Sequence, residues 1–229
     1  MPHHPEDDWE ELARREPHFA VLTNEDFLSD RLTPNALERF YKTGEDDVAF
    51  LFDLVGPMQP KIALDFGCGV GRLTAALAKR AERVFGVDAS PTMLALAPKL
   101  PNVAYSDELP DRADFICSLI VFQHIPVNRG YELFGKLLRI LRPGGVAAIH
   151  FALSRPGGAF RRLARRIRGA SPLVHRILSG RRSLPYMQIN TYNREQLAAT
   201  VRECGCSEPE FVPYDQGEVG GAILITSRA

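Results

Sequence analysis

Three glycines at alternate positions, Gly67, Gly69 and Gly71, follow an apolar run, Ile62–Phe66, that contains one acid, Asp65. Glycine is least costly where φ is positive or where another atom must approach the backbone closely. From Arg72 onward, Leu73, Ala76 and Leu77 recur at helical spacing. The stretch therefore reads as strand, glycine turn and helix. A helix N-terminus carries unpaired N–H groups and a partial positive charge, which suits the carboxylate or phosphate end of a ligand. Asp88 stands 21 positions after Gly67, at the end of a second apolar run beginning at Arg83. A doubly wound fold places a carboxylate there to accept hydrogen bonds from ribose hydroxyls. His124 follows a third apolar stretch, Ala113–Val121, in the segment Phe122-Gln123-His124-Ile125-Pro126. An imidazole titrates near pH 6.5 and is a candidate general base.

These groups need elements to hold them. Ile62–Phe66, Arg83–Asp88, Asn102–Tyr105, Ala113–Val121 and Val146–Leu153 read as strands, separated by helical patterns. That alternation defines a doubly wound α/β sheet. Ser90-Pro91 starts a helix by the cap-plus-proline signal, carrying Met93 and Leu94. Arg129–Leu141 has a buried stripe of Leu133, Phe134, Leu137, Leu138 and Leu141, and Arg142-Pro143-Gly144-Gly145 turns the chain into strand five. Asn193 caps a last helix that stops at Gly205, and two closing strands follow, Glu210–Tyr214 and Gly221–Thr226. His150 sits inside apolar strand five, where a satisfied buried imidazole is expected and a substrate contact comes second.

Before the first strand the chain is helical. Residues 5–16 form an acidic helix with Trp9, Leu12 and Ala13 on one face. Thr33-Pro34 opens a helix over Asn35–Lys42 that Gly44 is expected to stop, and a second helix runs over Asp46–Val55.

The glycine spacing separates two ligand classes. A dinucleotide turn is Gly-x-Gly-x-x-Gly, its last glycine packing helix on strand. Here Arg72 occupies that last place, and Asp65 has no part in the dinucleotide pattern. Leu64-Asp65-Phe66-Gly67-Cys68-Gly69-Val70-Gly71 instead resembles the first motif of class I (Rossmann-like) S-adenosylmethionine-dependent methyltransferases of the small-molecule type. Asp88, Asp107 after strand three, Gln123-His124 and Leu141-Arg142-Pro143-Gly144-Gly145 match later family positions in the same order.

The resemblance implies a seven-stranded sheet with its last strand antiparallel, and methyl transfer from S-adenosylmethionine to a small molecule. It implies a cofactor site at Asp65, Gly67, Cys68, Gly69, Gly71, Arg72, Asp88, Ala89, Met93, Asp107, Leu119 and Ile120. Asp88 would hold the ribose, Ala89 and Met93 would flank the adenine, and Leu119 and Ile120 would hold the methionine end. For a hydroxyl or phenol acceptor His124 or His150 is the candidate base, and for His124 a structural role competes. Two other functions stay open: a nicotinamide-dependent oxidoreductase, and a catalytically silent cofactor-binding protein of the same fold.

The chain has 229 residues, 45% hydrophobic content and formal net charge +0. It is long enough for one large domain. The expected division is a helical extension over 1–58 and a methyltransferase domain over 59–229, with an insertion over 154–190. Residues 1–60 hold 14 acidic and 5 basic side chains, whereas 151–190 hold nine Arg and no acid. Ala159–Arg168 has a face of Phe160, Leu163, Ala164 and Ile167 and an opposite face of arginines, and a second helix is expected over Pro172–Leu178. Following strand five, this insertion emerges at the ligand edge. It is expected to cap the site and select an acidic or amphipathic small molecule, or to pair with the acidic extension. Contact with an anionic membrane surface is the weakest of the three readings.

No apolar run approaches the roughly 20 residues of a membrane span, and the acidic N-terminus lacks a secretory h-region. Cys68, Cys117, Cys204 and Cys206 have no disulfide-framework spacing, and Cys204-x-Cys206 lacks a second ligand pair for a metal. Reduced thiols in the cytoplasm are expected. No nucleic-acid-binding motif is present.

Overall fold

A computed structural model describes residues 5–155 and 188–229. The expected helices at Ala159–Arg168 and Pro172–Leu178 lie outside the described residues, as does most of the 154–190 insertion. Seven strands form one sheet in the order β3-β2-β1-β4-β5-β7-β6. They are β1 Ile62–Phe66, β2 Arg83–Val87, β3 Val103–Ser106, β4 Ala113–Ser118, β5 Leu141–Ser154, β6 Glu210–Pro213 and β7 Gly220–Ser227. β1 to β5 pair in parallel, and β7 runs antiparallel to both β5 and β6. This is the expected seven-stranded class.

Successive strand residues point to opposite faces, so each strand feeds two cores. Ala63, Phe115, Ala148 and Ile223 meet Val48, Leu51 and Phe52 of α3 (Pro34–Val55) and Leu73 and Leu77 of α4 (Arg72–Leu77). Leu64, Ile116, Ile149 and Leu224 meet Phe134, Leu137 and Leu138 of α6 (Val127–Arg139) and Leu197 and Val201 of α7 (Arg194–Glu203). The N-terminal elements α1 (Pro5–Arg15) and α2 (Pro17–Val21) have their own small core. There Leu12, Ala13 and Ala20 pack with Phe27, Phe40, Val70 and Met93, the last from α5 (Pro91–Leu96).

Three expectations need correction. Gly44 does not stop a helix: α3 runs through it without a break, and the residue is buried. A Cβ there would overlap the backbone carbonyl of Arg72. The glycine is a close-approach point between α3 and α4, not a cap. Strand four ends at Ser118 rather than Val121, because Ile120 takes a positive φ of 63° and turns the chain away. Arg142–Gly145 is a bulge inside β5 rather than a turn before it. Ala113 pairs with Leu141 and Phe115 with Val146, so the four residues between have no partners on β4, and Gly144 has φ 77°. Elsewhere the local signals hold: Thr33, Ser90 and Asn193 each cap a helix with the side chain accepting an N–H.

Candidate active site

The ends of β1, β2 and β4 open onto one cavity of ≈ 590 Å³ at the carboxyl edge of the sheet. That edge is where open α/β sheets bind ligands, and the volume is that of a small-molecule site. The glycine turn forms part of its floor. Gly67 and Cys68 donate their N–H groups to the Val87 carbonyl at 2.7 and 3.0 Å, which ties the turn to the end of β2. Gly67, Gly69 and Gly71 all have positive φ, at 75°, 52° and 78°.

Asp88 forms the wall. Its Oδ2 accepts the Gly69 N–H at 2.8 Å and its Oδ1 the Ser90 N–H at 2.9 Å. The carboxylate is thus fixed in direction, and each oxygen keeps capacity for one more hydrogen bond. Burial pushes its pKa up, opposed by those N–H groups.

Nine of the thirteen expected site residues line this cavity: Gly67, Gly69, Asp88, Ala89 and Met93 on one side, then Asp107, Leu119, Ile120 and His124. The other four stand behind the turn and support it. Cys68 is buried, its thiol directed to the Gly69 carbonyl at 3.6 Å, with its pKa raised by burial. A Cβ on Gly71 would lie 2.6 Å from the Tyr105 hydroxyl. Arg72 is buried and donates to Asp47 Oδ2 at 2.5 Å and Thr43 Oγ1 at 3.1 Å. Its guanidinium is held by α3.

Asp65 is 1% exposed and accepts the Thr74 hydroxyl at 2.6 Å, and burial pushes its carboxyl up to about 6. The folded state therefore binds this proton more tightly than the unfolded chain. Stability attributable to Asp65 falls as pH rises from about 4 to about 6, by roughly 3 kcal/mol for a shift of this size. Asp65→Asn keeps an oxygen for Thr74 and carries no charge. It should match the parent in urea denaturation near pH 4 and exceed it by up to about 3 kcal/mol at pH 8. A gap that does not change with pH would remove this account.

Several lining residues are not apparent from sequence. Trp9, Ala20 and Val21 come from α1 and α2, so the N-terminal extension covers the cavity. Glu10 anchors this cover: its carboxylate accepts the Ser90 hydroxyl at 2.6 Å and the Thr92 hydroxyl at 2.5 Å. Those bonds hold its pKa below the usual range. Trp9, the single tryptophan of the chain, on the apolar face of an acidic helix, was the available signal. The far end is formed by Ile125, Pro126, Arg129 and Leu133. Leu133 thus serves both the cavity and, partly buried, the core that its stripe was expected to enter. Arg129 is exposed and lies 3.2 Å from Glu132.

Ile120 lines the cavity in left-handed backbone, a costly state for a β-branched residue. His124 is half-buried, its ring edge-on to Trp9 at 4.8 Å, and burial lowers its pKa. His150 does not line the cavity. It is fully buried, and among the described residues neither nitrogen has a hydrogen-bond partner in good geometry. The Tyr214 carbonyl beside it only partly offsets the burial that takes its pKa to about 4.

The sheet order, the glycine turn and the acid after β2 define a class I S-adenosylmethionine-dependent methyltransferase fold. Residues 64–149 match the family model described as a methyltransferase domain. It is 30% identical over 156 residues to trans-aconitate 2-methyltransferase of Pseudomonas aeruginosa, covering 63% of this chain and 55% of that protein. It is 38% identical over 99 residues to the enzyme of the same name from Methylobacterium radiotolerans, covering 39% and 37%. The aligned stretch thus spans 37% and 55% of the length of these two curated relatives.

Among solved structures, magnesium protoporphyrin IX methyltransferase of Synechocystis with bound S-adenosylmethionine superposes with TM-score 0.59 at 15% identity, covering 96% and 97% of the two chains. The N-methyltransferase NodS of Bradyrhizobium japonicum, with S-adenosylhomocysteine, gives 0.59 at 16%, covering 97% and 99%. At these identities the likeness is one of fold. Among the described residues no helix is long and apolar enough to cross a membrane.

Proposed function

We propose that this chain binds S-adenosylmethionine in the ≈ 590 Å³ cavity and transfers its methyl group to a small-molecule acceptor. The observation that carries the reading is Asp88. Its two oxygens are pinned by Gly69 and Ser90 yet each can accept once more, which suits a pair of neighbouring ribose hydroxyls. Bound S-adenosylmethionine supplies a methyl group already activated on a sulfonium. The work left to the protein is alignment, which can contribute several kcal/mol, with roughly 7–11 for ideal positioning. Gly67, Gly69, Leu119 and Ile120 would hold the methionine end, with Ala89, Met93 and Asp107 on the adenine side. His124 takes the proton from a hydroxyl or phenol acceptor as its oxygen bonds to carbon.

The acceptor we infer is amphipathic with an anionic end. Among the described residues lining the cavity, Arg129 carries the one permanent positive charge, beside apolar Trp9, Ile125 and Leu133. The nine Arg of 151–190 support the same preference, as does a relative named for the acid anion trans-aconitate. The cytoplasm suits the four cysteines, all of which are free thiols.

A screen of small hydroxy and phenolic acids with S-adenosylmethionine carrying a labelled methyl group tests the activity. Calorimetry should show binding of S-adenosylmethionine and S-adenosylhomocysteine and none of NAD. Saturable binding of NAD alone would overturn the reading. Asp88→Ala should weaken S-adenosylhomocysteine binding by about 1.5–3 kcal/mol, the worth of hydrogen bonds to a charged group. An unchanged dissociation constant would remove Asp88 from the ribose.

A further inference from the structure

His124 is held on three sides by three different parts of the chain. Its Nδ1 lies 2.8 Å from the backbone carbonyl of Gln188, and its Nε2 lies 3.1 Å from the Gln123 side-chain Nε2. The Trp9 ring meets it edge-on. A carbonyl oxygen can only accept a hydrogen bond, so the proton must sit on Nδ1. With that proton on Nδ1 the neutral ring carries none on Nε2, which can accept the Gln123 amide N–H. The two contacts agree on one neutral form, whose Nε2 can take a substrate proton once the Gln123 amide is displaced from it. The opposite tautomer would set a lone pair against the Gln188 carbonyl and a hydrogen against the Gln123 amide.

The carbonyl that makes this selection belongs to a segment stitched to the His124 turn. The Asn190 N–H donates to the Gln123 carbonyl at 2.5 Å. The Asn190 side-chain amide donates to the Gln123 and Ile125 carbonyls at 3.3 and 3.0 Å. The Tyr192 hydroxyl lies 2.9 Å from the Phe122 carbonyl and 3.0 Å from that of Ile125. Tyr192 is 3% exposed, and its own N–H donates to the Ala152 carbonyl on β5 at 2.8 Å. Gly130 leaves room for it, since a Cβ there would overlap the Tyr192 hydroxyl.

We propose that residues 188–192 form a strap that fixes the tautomer of His124, with Asn190 and Tyr192 as its positioning residues. The consequence for turnover rests on the methyl-transfer reading above; the tautomer itself does not. Backbone carbonyls commonly orient imidazoles in this way. Here the orienting carbonyl lies far along the chain from the histidine, so side chains must hold it in place.

The test is ¹⁵N spectroscopy of the histidine-labelled full chain near pH 7.5, with His124→Gln assigning the signals. The parent should show His124 protonated at Nδ1 and bare at Nε2. Asn190→Ala should bring in the opposite tautomer. Tyr192→Phe, which keeps the ring in its aromatic surroundings, should do so without loss of fold. Turnover should fall about tenfold in each, the lower end of what losing the partner of a metal-bound imidazole costs, while KM for S-adenosylmethionine stays constant. A parent protonated at Nε2, or variants whose tautomer does not move, would overturn the strap. A tautomer that moves with no change in turnover would leave the strap standing and remove His124 as the base.

Discussion

Asp47→Ala is expected to lose about 3–5 kcal/mol of folding stability, the cost of leaving a buried charge without its partner. The charge left behind is Arg72, whose side chain is 4% exposed, against 24% for Asp47. In the parent its Nη1 donates to Asp47 at 2.5 Å and to the Thr43 hydroxyl at 3.1 Å, while its buried Nε meets no partner among the described residues. Thr43 alone cannot balance it. For a chain of this length a loss of that size lowers the melting temperature by an amount on the order of 10 °C. Asp47→Asn keeps an acceptor without the charge and should fall between the two. Added salt should change the parent little, because a pair this buried is weakly screened. The consequence reaches the cavity, since Arg72 follows the glycine turn directly and ties it to α3. A loss under about 1 kcal/mol, the worth of a surface pair, would show that Arg72 finds solvent when released.

That pair marks the boundary of what the chain discloses about itself. The resemblance implied Arg72 at the cofactor; its partner lies 25 residues upstream, on a helix whose packing no local pattern records. Gly44 was expected to end a helix by the same local logic. The contact that decides its role is with the Arg72 carbonyl, across the interface of α3 and α4. By contrast, β1, the glycine turn, Asp88 and the Ser90 cap depend on neighbours within a few residues or on a fixed βαβ spacing. All were legible. The cavity cover was half legible. The face of Trp9, Leu12 and Ala13 could be read, and Leu12 and Ala13 are indeed buried. That Trp9 lies against His124, and that Glu10 fastens to Ser90 and Thr92, are facts of tertiary placement. Arg129 and Leu133 were hidden for a related reason. The helix begins at Val127 beside the cavity, and Leu133 reaches the cavity and the core together.

His124→Ala is expected to lower turnover by about 10²–10⁴-fold toward an acceptor that must lose a proton, the range for removal of a general base. Affinity for S-adenosylhomocysteine should stay near the parent value, because the proposed ribose contact at Asp88 and the glycine floor are untouched. The pH profile supplies the sign. Burial lowers the pKa of His124 below its ordinary 6.5, so the ring is neutral at pH 7 and ready to accept. Parent activity should therefore be flat from about pH 7 upward and decline on the acid side, where the ring takes up a proton before the acceptor can give one. In the alanine variant that acid limb should vanish along with most of the rate. A variant that folds, binds cofactor and keeps turnover within about threefold would confine His124 to anchoring Gln188. The rate would then come from alignment at the sulfonium alone, without a base.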